Sequence, residues 1–282
     1  MDKVLESRVQ SIFADLNRHG AEHSFPVGGA LSALLSKNAD KEPLGQPIRA
    51  TREILKYFAT ASVEAWQRSV HSFLISASLT EASPIWSSVA GYYSSHYAVR
   101  AVAHVLGAFH LHKKKRIVYI ERPGAYDVMR IEKKDADREH KFYWKFVSQH
   151  PRFALDPFFY AFQEDSSQPS DGGHRNWANY VDHIDRFPVF SALSDEFLKN
   201  RVTRISEVQL SSVPVPSAEK FPDILNVQFV AYHRIVKFRR LLDEVLGTEN
   251  RFWNVQRKPQ WCQEVIDFSV IEPVFAALYA GR

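Results

Sequence analysis

Residues 84–112 restrict what this chain can fold into more than any other stretch, because their side chains recur at the period of an α-helix. Within them runs Gly91-Tyr92-Tyr93-Ser94-Ser95-His96-Tyr97-Ala98-Val99-Arg100-Ala101-Val102-Ala103-His104. At about 100° per residue, Tyr93, His96, Tyr97, Arg100 and His104 fall inside an arc of roughly 100°. Val99, Val102, Val105 and Leu106, with Ala98 and Ala103, lie outside that arc and mostly opposite it. The pattern predicts a helix over 84–112, capped by Ser83 and with Pro84 in its first turn. One side packs on a core. The other presents tyrosine hydroxyls, two imidazoles and a guanidinium, a set suited to a phosphate or a nucleotide.

Much of the remaining chain also has helical spacing. Residues 2–18, 136–149, 174–186, 191–205, 222–246 and 261–279 read as helices, and 50–79 as one broken helix or two successive ones. Residues 20–47 read as a glycine- and proline-containing connection. Its Gly28-Gly29 lacks the lysine and spacing of a phosphate-binding loop. Residues 117–120 and 127–131 are rich in β-branched and aromatic side chains, with Pro123-Gly124 between them, and predict a β-hairpin inserted among the helices. Residues 164–173 read as a loop and 211–217, with Pro214 and Pro216, as an extended linker.

Composition narrows the function classes. With 36 basic and 32 acidic residues the net charge is +4, so only a local cluster of cations argues for nucleic acid. The run Lys113-Lys114-Lys115-Arg116 also suits a solvated helix end. The single cysteine, Cys262, excludes an intrachain disulfide and a multi-cysteine zinc site. No window holds the ~18 consecutive apolar residues of a membrane span, and the first residues show no apolar signal core. A soluble, cytoplasmic protein with no membrane partner is expected.

A second polar face occurs in 174–186. There Arg175, Asn179, Asp182, His183 and Arg186 share an arc of roughly 100°, backed by Trp177, Tyr180, Val181 and Ile184. Arginine offers a planar fork to phosphate oxygens and stays charged at any relevant pH. A neighbouring histidine can move the proton of a ribose hydroxyl near neutral pH without a metal. A surface helix carries the same residue types on its wet side, and His96 and His104 also suit a satisfied, partly buried helix contact. Both readings stand at this point.

The segment from Gly91 to Val102 resembles the second helix of the HEPN superfamily, the higher-eukaryote and prokaryote nucleotide-binding domains. Arg175-Asn176 followed by Asn179-Tyr180 is similar to a later helix of that family. The resemblance rests on these two segments and on the helix order of 60–205. It implies a mainly α fold, an antiparallel helical bundle over 50–205 with the hairpin inserted near 116–132. Residues 1–49 form an N-terminal helix and loop segment, and 206–282 a linker and helical C-terminal extension. It also implies binding of RNA or a nucleotide, a homodimer or protein partner, and in many members metal-independent RNA cleavage in toxin or phage-defence systems. Carried over by position, Arg100, His104, Arg175 and His183 are the candidate catalytic residues. Tyr93, His96, Tyr97, Asn179 and Arg186 are candidates for binding RNA or nucleotide. Catalytic members keep four to six residues between Arg and His. Here seven separate Arg175 from His183 and three separate Arg100 from His104, whereas Arg18 and His23 keep the spacing in another region.

Other chemistry has weaker signals. His110 and His112 point apart on a helix and lack a nearby carboxylate, Glu139-His140 has no second histidine at metalloprotease spacing, and no serine sits in a nucleophile elbow. No metal and no cofactor are expected. Three function readings follow: an RNA-binding or RNA-cleaving protein, a non-catalytic helical subunit whose aromatic-basic faces form an interface, and a nucleotide sensor.

Overall fold

The computed structural model describes residues 27–80, 83–111, 114–121, 127–133, 139–154, 156–160 and 224–246. The helices expected over 2–18, 174–186, 191–205 and 261–279, and the linker at 211–217, lie outside them. The described part is mainly helical with a small antiparallel sheet. Its elements are α1 (Val27–Lys41), β1 (Pro47–Arg49), α2 (Arg52–Ser78), α3 (Pro84–Val105), β2 (Ala108–Leu111), β3 (Arg116–Glu121), β4 (Val128–Lys133), α4 (Glu139–Gln149), the short α5 (Pro157–Tyr160) and α6 (Ile224–Leu246).

Small residues at seven-residue spacing set the core. Ser62, Ser69 and Ser76 on α2 and Ser87, Ser94 and Ala101 on α3 recur every two turns, so each set forms one line along its helix. The two lines face each other with the helices antiparallel. Ser69 Oγ donates to the Ser94 carbonyl at 2.6 Å, and Ser94 Oγ donates back to the Ser69 carbonyl at 2.8 Å. Ser76 and Ser87 repeat the exchange at 2.7 and 2.6 Å. Each carbonyl uses a second lone pair, so the helical ladder stays intact while four buried hydroxyls are satisfied. Thr51 starts α2 by accepting the Ile54 amide at 3.3 Å, and the helix then runs unbroken to Ser78.

α6 lies across this pair. Gly91 gives it room, since a Cβ there would stand 2.7 Å from Val227 Cγ1. Trp66 Nε1 donates to the Ile235 carbonyl at 3.0 Å. The fully buried Gln228 donates to the Ser76 carbonyl at 2.9 Å and to Thr80 Oγ1 at 2.8 Å, tying all three helices together. Gln228→Ala is expected to cost about 2–3 kcal/mol, by leaving a void and stripping a donor from several buried oxygens. Urea unfolding of the variant checks this.

The sheet packs beside the helices in the order β1-β4-β3-β2, all neighbours antiparallel. The hairpin expected near 116–132 is present as β3 and β4, with Val118 opposite Ile131. Two strands join it that the spacing did not predict. The helix expected to run to 112 stops at Val105, because Gly107 takes φ +82° and turns the chain into β2. All four residues of β2 are buried, so their apolar run reads equally well as helix. β1 is only three residues and begins at a proline, as suits an edge strand. The connection expected over 20–47 contains α1, whose Leu31 and Leu35 are fully buried. Among the described residues no helix is long and apolar enough to cross a membrane.

Candidate functional site

The site is built where the last turns of α3 meet the middle of α2. Position 104 turns inward, and His104 is buried at 1% exposure with its ring stacked on Phe109 at 5.1 Å and edge-on to Tyr143 at 5.5 Å. Its Nδ1 lies 2.9 Å from the Ala108 carbonyl, which has no proton to give. Nδ1 therefore carries the hydrogen and Nε2 is an acceptor. Arg100, one turn earlier, fills that acceptor with its Nε–H at 3.2 Å.

The electrostatics agree with this tautomer. Burial, and then the Arg100 charge, hold the His104 pKa down to about 3, against the smaller opposing pull of the Ala108 hydrogen bond. His104 is thus a neutral acceptor throughout the physiological range. Arg100 also lies over the Tyr143 ring, 5.5 Å from its centroid. One edge of its guanidinium is anchored while the side chain stays half-buried. A fixed fork of this kind suits a phosphate or carboxylate better than a mobile one.

Beside it lies a half-open cavity of about 160 Å3, lined by Ala61, Glu64, Ala65 and Arg68 of α2 and Tyr97, Arg100 and His104 of α3. Arg68 reaches Glu64 at 2.9 Å, one helical turn away. With His104 neutral, two guanidiniums and one carboxylate leave the lining net positive. The volume matches a single ring or one phosphoryl group, as a cavity of about 150 Å3 holds a benzene. It is smaller than the ~300 Å3 at which pockets for whole small molecules begin.

The structure brings together Tyr97, Arg100 and His104 of the candidate residues. Tyr93 is half-buried and lies alongside Tyr97, with ring centroids 6.2 Å apart. His96 is 3% exposed and stacks on Tyr92 at 6.3 Å, away from the cavity lining. The arc of α3 is therefore not an open wet face as the spacing predicts. The rings of α4 and the residues of β2 cover its two histidines, and only its tyrosines and arginine reach the cavity edge. Arg175, Asn179, His183 and Arg186 lie outside the described residues, as do Arg18 and His23.

Glu64 and Arg68 are the lining residues that the spacing of α3 alone cannot show. Their signal is in the serines: Arg68 precedes Ser69 and Tyr93 precedes Ser94, so the register of the two small-residue lines sets Arg68 beside the α3 tyrosines. No group of three His, Cys, Asp or Glu side chains suited to a metal occurs among the described residues. No family model, no curated protein and no solved structure matches this chain.

Proposed function

We propose that this chain is a HEPN-like helical protein that binds the phosphate of an RNA or a nucleotide in the Arg100 cavity. The observation that carries this reading is the guanidinium of Arg100, held by a neutral buried His104 at the wall of a net-positive cavity sized for one phosphoryl group. The α2–α3 pair with α6 laid across it forms part of the antiparallel bundle, and α3 carries the residues of the resemblance. The same resemblance extends the reading to a homodimer or protein partner, and to a toxin or phage-defence setting.

In this reading His104 positions Arg100 and moves no proton, because a group titrating near 3 is a poor base at neutral pH. RNA cleavage, where it occurs, rests on Arg175 and His183 rather than on the α3 histidines. Burial of His96 and His104 among aromatic rings favours the second reading, a non-catalytic helical subunit whose remaining polar edge meets a partner. The cavity volume disfavours a sensor that encloses a whole nucleotide.

The test is incubation of the purified full chain with a mixed RNA pool and chelator, read for both retention and cleavage. Arg100→Ala is expected to lose at least tenfold in retention while melting like wild type. Arg175→Ala is expected to remove any cleavage. Undiminished retention by a folded Arg100→Ala variant contradicts the cavity as the binding site.

A further inference from the structure

We infer that the face of α3 from Arg100 back to Trp86 is a track for single-stranded nucleic acid, on which bases stack while one phosphate occupies the cavity. This rests on the phosphate reading of the cavity and extends it to the class of ligand. The starting observation is Trp86, which is 60% exposed in the first turn of α3. An indole left so far in water is out of place in a core-facing helix and marks a contact surface.

Its position is not isolated. Residues 86, 93 and 100 are seven apart, so Trp86, Tyr93 and Arg100 form one line along α3, with Tyr97 beside it. The hydrogen-bonded serines show what lies opposite. In an antiparallel pair, the residues just before two facing positions point to the same side. Ser76 faces Ser87 and Ser69 faces Ser94, so Ile75 shares a side with Trp86 and Arg68 with Tyr93. Ile75 is itself 37% exposed, and the Arg68 side chain 55%. α6 contacts Gly91 and Trp66, on the opposite side of the pair, so it leaves this face uncovered.

The face therefore runs from an exposed indole and isoleucine, through tyrosines, to two arginines and a cavity. Alternation of ring faces with guanidiniums is what a single strand requires: sequence-tolerant stacking for the bases and positive charge for the backbone. A duplex, whose bases already stack on one another, gains nothing from the rings. The fourteen residues from Trp86 to Arg100 span about 21 Å of helix, the length of about six nucleotides at a rise of about 3.4 Å.

The experiment uses labelled oligouridylates of two, four, six and eight nucleotides, a six-base-pair duplex, and the full chain. Wild-type affinity is expected to rise with length to about six nucleotides and then level off, with weaker binding of the duplex. Trp86→Ala is expected to cost about tenfold for the six-mer and to leave the dinucleotide unaffected, with Trp86→Phe restoring most of the loss. An exposed side chain leaves folding intact, which melting verifies. Equal six-mer binding by wild type and Trp86→Ala overturns the track while leaving the cavity reading standing. So does duplex binding as tight as the single strand. A Trp86→Ala variant that dissociates a dimer in sedimentation without weakening the six-mer also overturns it, and makes the face a contact between copies. Dinucleotide binding unchanged in Arg100→Ala, or no binding at any length, is the distinct failure of the cavity reading itself.

Discussion

Gly107→Ala is expected to destabilise the chain by about 3 kcal/mol, roughly a 5–10 °C fall in melting temperature. Two costs add at this one residue. Its φ of +82° lies in the left-handed region, which a side chain enters only with strain. The new Cβ would also stand 2.8 Å from the Ile120 carbonyl oxygen and 2.9 Å from Ile120 Cβ. Neither atom retreats cheaply, because Ile120 is paired within the sheet and its amide donates to the Gly107 carbonyl at 2.7 Å. The residue after the turn, Ala108, supplies the carbonyl that holds His104. Loss of stability and a looser Arg100 are thus expected together. Chemical denaturation measures the first, and a change within about 0.5 kcal/mol of wild type would show that the turn relaxes freely.

The second large effect is acid lability. Burial, then the Lys237 and Arg240 charges, hold the His233 pKa down to about 4, while His104 is held down to about 3. In the unfolded chain both return towards the ordinary value of about 6.5. The unfolded state therefore binds more protons at every pH between these limits. The stability linked to the two groups is complete above about pH 6.5 and is lost as the pH falls towards 4 and 3. Between pH 6 and 5 the expected loss is about 2 kcal/mol. His233 Nε2 has no hydrogen-bond partner among the described residues, and its ring lies 4.2 Å from that of Phe229. His233→Phe is accordingly expected to remove about half of the slope without unfolding the chain at pH 7. Urea titrations at pH 7, 6 and 5 decide this, and equal stabilities at the three values would refute it.

What was legible in the residues follows the range of the interactions involved. α2, α3, α4 and α6 each carry enough turns of periodic apolar residues to show themselves, and Pro123-Gly124 marks the hairpin. The end of α3 was not legible, because Ala108 and Leu111 continue a helical apolar pattern. Only the packing of Gly107 on Ile120 selects the strand. α1 was hidden by Gly28 and Gly29, poor helix formers whose cost is offset by burial of Leu31 and Leu35. At the site, the pairing of Arg100 with His104 is a local four-residue relation and was visible. Burial of that histidine by Phe109 and Tyr143, and the approach of Arg68 and Glu64 from α2, depend on contacts between distant segments.

The most direct test of the Arg100 cavity as a phosphate site is the salt dependence of binding to a single-stranded RNA oligomer, for wild type and for Arg100→Ala. Each phosphate contact neutralised by a cation adds about 0.7 to the slope of log affinity against log salt on a single strand. The variant should bind at least tenfold more weakly at low salt, with a slope shallower by about that amount. Identical affinities and slopes would contradict the account, and would place any RNA contact elsewhere on the chain.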